Sequence, residues 1–212
     1  MMSEKESKKD TRVKILSAAR TEFLNCGYEK TTMRSICKKA GVTTGALYFF
    51  FENKAGLFRA LVARTAEELE VFFHQAVAAE KRYSRQLVLA GKELDGDMDS
   101  ESECRMMRYF YPRREEFLIL MTKAQGSEYE LFRDKMRTLM TAAFEDFIHL
   151  YVQEQEISAA LYDLVPLLVS WRINSYLELL KENLPLEEML IRTDLIARYA
   201  AGGWNAIVKV KK

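Results

Sequence analysis

Proline and glycine are scarce, three and nine in 212 residues. With so few chain breakers and 49% hydrophobic residues, the sequence favours packed helices over disorder or a β-fold. Histidine is scarcer still. His74 and His149 stand alone, and neither has a second His or Cys at metal-ligand spacing, so no zinc or other metal site is expected. The three cysteines, Cys26, Cys37 and Cys104, are odd in number and lack CxxC spacing. That argues against a disulfide framework and for reduced thiols in the cytoplasm. No apolar run reaches the roughly 18 residues that span a bilayer. The charged start MMSEKESKKDTR has no apolar h-region, so neither a membrane association nor an export signal is expected. Chemical motifs are missing too: there is no Ser/His/Asp set, HExxH, P-loop or GxGxxG. The pairs Glu115-Glu116 and Glu187-Glu188 are adjacent, point to different sides of a helix and cannot easily cooperate. An all-α enzyme is therefore the weaker alternative, and no cofactor is expected.

What is present is an uneven charge. The net charge is +1 overall, but residues 1–60 carry 12 Lys and Arg against 6 Asp and Glu, whereas residues 61–212 carry 20 against 25. A basic lobe on an acidic body is the electrostatic footprint of a DNA-binding module joined to a domain that does not bind DNA, although a solvated surface can also be basic.

The basic lobe contains Met33 to Phe51, MRSICKKAGVTTGALYFFF. Ile36, Cys37 and Ala40 lie at helical spacing and end at Gly41, which can take positive φ and open a turn. Val42 plugs the corner, and Thr43 or Thr44 can cap the next helix. Leu47, Phe50 and Phe51 share one face, while Thr44, Gly45, Tyr48 and Phe49 point elsewhere. A helix this short buries one face and offers the other, as the second helix of a helix-turn-helix does in the major groove.

These residues, with ILSAARTEFLNCGY before them and ENKAGLF after, resemble the TetR/AcrR family of bacterial transcriptional regulators over Ile15 to Leu57. The match runs through Gly27-Tyr28, Thr32, Ile36, Gly41-Val42, Leu47-Tyr48, Phe51, Lys54 and Leu57. Two positions depart from it. Cys37 stands where many members have Ala, and Phe50 where many have His or Tyr, which removes a phosphate contact sometimes made there. The resemblance implies an all-α fold: a three-helix DNA-binding domain at 9–69, then a helical effector-binding and dimerisation domain at 70–212. It implies DNA contacts at Thr32, Arg34, Thr43, Thr44, Gly45, Ala46, Tyr48, Phe49 and Lys54. Base readout falls to Thr44, Gly45 and Ala46, and Tyr48 gives its hydroxyl to a phosphate. Arg34 reaches a base or a phosphate. Phe49 meets a sugar or thymine methyl, or is partly buried. Lys54 follows the cap Asn53 at a helix start suited to a phosphate.

Around this lobe, Met1 to Lys9 reads as a flexible basic arm, with a first helix from about Thr11 to Asn25 capped by Asp10 or Thr11 and built on Ile15, Leu16, Ala19 and Phe23. A long fourth helix runs to about Gln75, and another covers Val77 to Leu94. DGDMDSESE, Asp95 to Glu103, reads as an acidic loop. Further helices are expected over Arg113 to Gln125, over Glu128 to Gln155 with Ser127 as cap, over Ile157 to Asn183 and over Leu186 to Val208. Met107, Phe110, Phe117, Met121, Phe132, Met136, Phe144 and Trp171 are soft or aromatic, so they can line a pocket for a small apolar or amphipathic effector, or simply fill a bundle core. On the last two helices, Leu164, Leu168, Trp171, Ser175 and Leu179 share one face and Met189, Thr193, Ile196, Ala200 and Trp204 another. The resemblance implies that these two helices pair with their counterparts in a homodimer. The expected function is a sequence-specific regulator, released as a repressor from a pseudo-palindromic double-stranded operator by an effector. The alternative within the same class is a DNA-binding regulator without an effector.

Overall fold

The computed structural model describes residues 4–89, 96–151 and 159–207, and all regular structure among them is helical. The order is α1 (Glu4–Lys30), α2 (Met33–Ala40), α3 (Thr44–Phe50), α4 (Lys54–Leu89), α5 (Gly96–Phe110), a 3-10 turn (Tyr111–Arg113), α6 (Arg114–Thr122), α7 (Phe132–Tyr151), α8 (Ala159–Lys181) and α9 (Leu186–Ile207). No described helix is long and apolar enough to cross a membrane. The chain forms two compact units: Met1–Glu68 with Arg113–Arg133, and Leu69–Pro112 with Asp134–Lys212.

The first unit is built on the expected stripe of α1. Ile15, Ala19 and Phe23 are fully buried, against Ile36 of α2, Leu47 of α3 and Leu57 and Phe58 of α4 in the same core. Leu16 is only half-buried. The rings of Phe23 and Phe58 meet edge to face at 4.9 Å, and Tyr28 joins them 5.0 Å from Phe58. Gly27 ends the straight run of α1 as expected, with φ 78° and ψ 167°, and Tyr28 then donates its N–H to the Lys123 carbonyl at 2.8 Å.

The 113–133 segment was expected in the second domain but belongs to the first unit. All of Phe117 to Met121 is buried, so α6 has no solvent face to spare, and Arg20 of α1 pairs with Glu116 at 2.7 Å. Ser127 does not cap a helix at Glu128. Its hydroxyl donates to the Ala124 carbonyl at 2.6 Å and accepts from the Tyr129 N–H at 3.1 Å, closing a turn, and α7 starts only at Phe132.

Two further expectations change. Residues 4–10 are helical rather than a loose arm, so Asp10 and Thr11 are not caps. The run from Lys54 to Leu89 is one helix, not two. Residues 90–95 lie outside the described residues, as do 152–158 and 208.

In the second unit the acidic stretch after Asp95 is helix, not loop. Its polar side chains have partners that local sequence cannot show. Ser100 donates its hydroxyl to the Asp194 carboxylate of α9, and Glu103 pairs with Arg172 of α8, with about a tenth of each side chain exposed. Burial among partners, rather than solvation, explains these residues. Met107, Phe110, Met136, Val165, Val169, Met189 and Ala197 fill the core around them. Pro166 lies inside α8, and Pro185 stands between α8 and α9. Asn183, at φ 42°, takes the left-handed turn between them.

Candidate nucleic-acid interface

The turn between α2 and α3 is held by caps at both ends. Thr32 accepts the Ser35 N–H at 3.0 Å, while the Thr32 N–H donates to the Ser35 hydroxyl at 3.4 Å, a reciprocal capping box. Gly41 closes α2 at φ 66° and ψ 34°, and a β-carbon there would be strained rather than crowded. Thr43, not Thr44, caps α3, accepting the Ala46 N–H at 3.1 Å. Each capping hydroxyl is used as an acceptor, so its proton remains available to a phosphate oxygen.

The short α3 is anchored by Leu47, fully buried, and by Phe51 just after it. That anchoring sets the register of the opposite face. Thr44, Gly45, Tyr48 and Phe49 are exposed there, Ala46 is half-covered, and Phe49 is 70% exposed. A β-carbon on Gly45 would meet nothing within 4 Å, so no internal packing demands glycine at that position. Phe50 is half-buried and stacks edge to face with Phe49 at 5.0 Å. Of the two readings of Phe49, the geometry removes burial. Arg34 is exposed in the first turn of α2, beside the same corner.

Two lysines of this unit are engaged by the protein itself. Lys39 pairs with Glu22 of α1 at 3.0 Å, and hydrogen bonds from Lys39 and then Ser35 hold the Glu22 carboxyl below the usual carboxylate range. Lys54 turns inward. Its ammonium donates to the carbonyls of Tyr28 at 2.8 Å, Glu29 at 3.2 Å and Thr31 at 3.1 Å, and lies 4.3 Å from the Tyr28 ring centre. Its charge neutralises the carbonyl end of α1 rather than facing outward. Asn53 does cap α4, accepting the Gly56 N–H at 2.8 Å.

The arrangement also gathers residues that the sequence reading left out. The Lys8 ammonium lies 5.8 Å from the centre of the Phe49 ring, and the Arg12 guanidinium 5.6 Å from that of Phe51. Lys8 and Arg12 stand four apart in the sequence, the spacing of one helix face.

A family model described as "Bacterial regulatory proteins, tetR family" matches residues 15–61, the segment that carries this corner. That segment is shared with the TetR/AcrR family of bacterial transcriptional regulators. Over 58 residues the chain is 45% identical to the HTH-type transcriptional regulator TtgR of Pseudomonas putida, covering 27% of this chain and 28% of that protein. It is 40% identical over 67 residues to the HTH-type transcriptional repressor BepR of Brucella suis, 32% of each. The chain thus matches less than a third of the length of these relatives.

The TetR-like fold extends further than the sequence likeness. The Thermus thermophilus regulator PfmR superposes with a TM-score of 0.51 at 18% identity, over 87% of this chain and 97% of that one. NalD of Pseudomonas aeruginosa superposes with a TM-score of 0.50 at 18% identity, over 96% and 98%.

The eight residues considered for an effector pocket are divided between the two units. Phe117, Met121 and Phe132 are buried in the first unit, and Met107, Phe110 and Met136 in the second. Phe144 is half-buried against Trp204, with ring centres 5.2 Å apart. Trp171 is exposed on α8, with its ring 5.4 Å from that of Tyr199 of α9.

Proposed function

We propose that this chain is a sequence-specific regulator of transcription that binds double-stranded DNA as a homodimer, inserting one α3 into the major groove of each half of a pseudo-palindromic operator. The observation that carries the reading is the exposed face of α3, with Thr44, Gly45, Tyr48 and Phe49 outward over a buried Leu47. Thr44 hydrogen-bonds a base edge, Gly45 admits the backbone, Ala46 meets a thymine methyl, and Tyr48 fixes register on a phosphate. Arg34, Thr32 and Thr43 add donors from the corner. Lys54 acts through the domain it braces, and the capped start of α4 offers its backbone N–H groups to a phosphate. With so few base-reading groups, part of the specificity comes from DNA shape.

The dimer reading is supported by an apolar face on α8 and α9. Leu167, Trp171, Ile191, Leu195 and Tyr199 are all exposed there, and Tyr199 reaches 73%. Two copies related by a two-fold axis cover this face with itself. Leu195→Glu should give monomers by light scattering and lose operator affinity; a variant that stays dimeric would sink this interface.

Repression, rather than activation, follows the name of the relative BepR. Release by an effector is the family's usual device. A regulator without an effector is the second reading, in which the buried Met107, Phe110 and Met136 only fill the core. An operator affinity that shifts with an added amphipathic compound separates the two. Both readings place the protein in the cytoplasm with its DNA.

The test is selection of duplexes from a random library, then fluorescence anisotropy against scrambled duplex across a salt series. Sequence-preferring binding is expected. Equal, salt-sensitive affinity for both duplexes would reduce the interaction to phosphate attraction and overturn the operator reading.

A further inference from the structure

Phe49 is a large apolar ring left 70% exposed on the face that offers Thr44 and Tyr48. Such a ring costs solvation unless something covers it. What lies over it in this structure is a cation, the Lys8 ammonium, 5.8 Å from the ring centre and within cation–π range. One helical turn further along α1, the Arg12 guanidinium lies 5.6 Å from the Phe51 ring. The two cations are four apart, so they share one face of α1, and that face flanks α3. The contact requires the helix to be formed back to its first turns, as it is from Glu4. Lys9 is exposed beside Lys8 and adds to the same positive edge.

We propose that the first turns of α1 form a second arm of the DNA interface, in which Phe49 holds Lys8 against a backbone phosphate flanking the bases read by α3. This rests on the operator-binding reading above. A phosphodiester is the chemistry that fits. It presents an anion beside an apolar sugar edge, and a lysine lying on a ring offers an ammonium beside an apolar edge. An ammonium has three donors and no preferred base, so the contact adds affinity and register but reads no sequence. Phe49 is a positioning residue here. It limits the rotamers of a long side chain whose ordering would otherwise be charged against each phosphate contact.

The experiment uses the full chain and a duplex of about 30 base pairs enriched from a random library by the wild type, with affinity measured over a salt series. Lys8→Gln should lower the slope of log K against log salt by about 1 for each half-site, or about 2 for the dimer, with unchanged far-UV circular dichroism. Lys8→Arg should keep the slope. Phe49→Leu should weaken binding, and Lys8→Gln added to it should cost less than it does alone, because the lysine is no longer held. An unchanged slope in Lys8→Gln, or full additivity of the two substitutions, overturns the proposal while leaving operator binding intact. If Phe49→Leu alters the helical signal, the slopes of Lys8→Gln and Lys8→Arg decide alone. Enrichment of no duplex by the wild type would overturn the operator reading itself, and this arm with it.

Discussion

Replacing Lys54 by Met separates two jobs that one cation can do. In the structure its ammonium donates to the carbonyls of Tyr28, Glu29 and Thr31, at the end of α1 and in the turn before α2. A helix end leaves its last carbonyls without partners, so a half-buried cation there replaces bonds the backbone cannot make. The Glu29 bond is exposed, and water replaces it at little cost. The other two are part-buried, and a hydrogen bond from a charged donor contributes about 1.5–3 kcal/mol in such a setting. The Tyr28 ring, 4.3 Å away, adds ~0.5–1 kcal/mol. Methionine keeps the unbranched stem and loses only the charge. With partial rescue by water, Lys54→Met should cost the first unit about 2–4 kcal/mol. The assay is hydrogen exchange read by mass spectrometry on peptides from α1 to α3. Protection there should fall at least about thirtyfold, since each 1.4 kcal/mol is a factor of ten. At low temperature, where the unit stays folded, the salt dependence of DNA binding should not change. Wild-type protection together with a shallower salt slope would refute the reasoning. It would mean that the ammonium faces DNA and that the three carbonyls are satisfied without it.

The remaining expectations are briefer. Arg34→Ala should weaken operator binding by roughly 1–3 kcal/mol if the side chain reads a base, with unchanged thermal stability; unchanged affinity in anisotropy removes the residue from the interface. Glu103→Leu leaves Arg172 charged and enclosed, which should cost the second unit about 3 kcal/mol; urea unfolding followed by tryptophan fluorescence checks it, since Trp171 and Trp204 both lie in that unit. Adding Arg172→Met should recover part of that loss, and a double variant weaker than the single would contradict the pairing. The Glu22 carboxyl sits below its ordinary value of 4.5, so its bonds with Lys39 and Ser35 contribute fully above that pH and are lost as pH falls through the lower folded value. The first unit should therefore melt earlier below about pH 4.5, and Glu22→Gln should flatten part of that decline in exchange measurements across pH.

How far the sequence carried depended on whether local residues determine the answer. The helix-turn-helix was readable because its signals are local: a threonine cap, a glycine at positive φ, then an apolar triplet at i, i+3 and i+4. Gly41, Thr43 and Leu47 behave as their neighbours dictate. Ser100 and Glu103 misled because an acidic, hydroxylated stretch looks like a loop until Asp194 and Arg172 arrive from segments far along the chain. Lys54 misled in the same way. A lysine at a helix start reads as surface charge, and only the fold brings three carbonyls to it. The 113–133 segment could not be assigned by order along the chain, because its partners Arg20 and Tyr28 precede it by about ninety residues.

The last two helices show the same limit more sharply, and there it has a consequence for assembly. Spacing puts Met189, Thr193, Ile196, Ala200 and Trp204 on one face of α9 and does not say whether that face pairs with a second copy or closes the core. In the structure Met189 and Thr193 are fully buried, and the Thr193 hydroxyl donates to the Met189 carbonyl at 2.8 Å. The face left outside carries Ile191, Leu195 and Tyr199, exposed at 57%, 59% and 73%. By residue type the outer face is the more apolar of the two. A helix that must hide only one face buries the one that packs best, and small residues such as Ala197 pack closer than Tyr. The choice then rests on shape, which periodicity does not encode. It also leaves α9 with an apolar face in water, continued on α8 by Leu167 and Trp171. At about 25 cal/mol per Å2, such a face is a standing cost that a second copy removes. The pairing surface proposed for the dimer is therefore the face the monomer could not use, on nearly the opposite side of α9 from the stripe that hydrophobic spacing picks out.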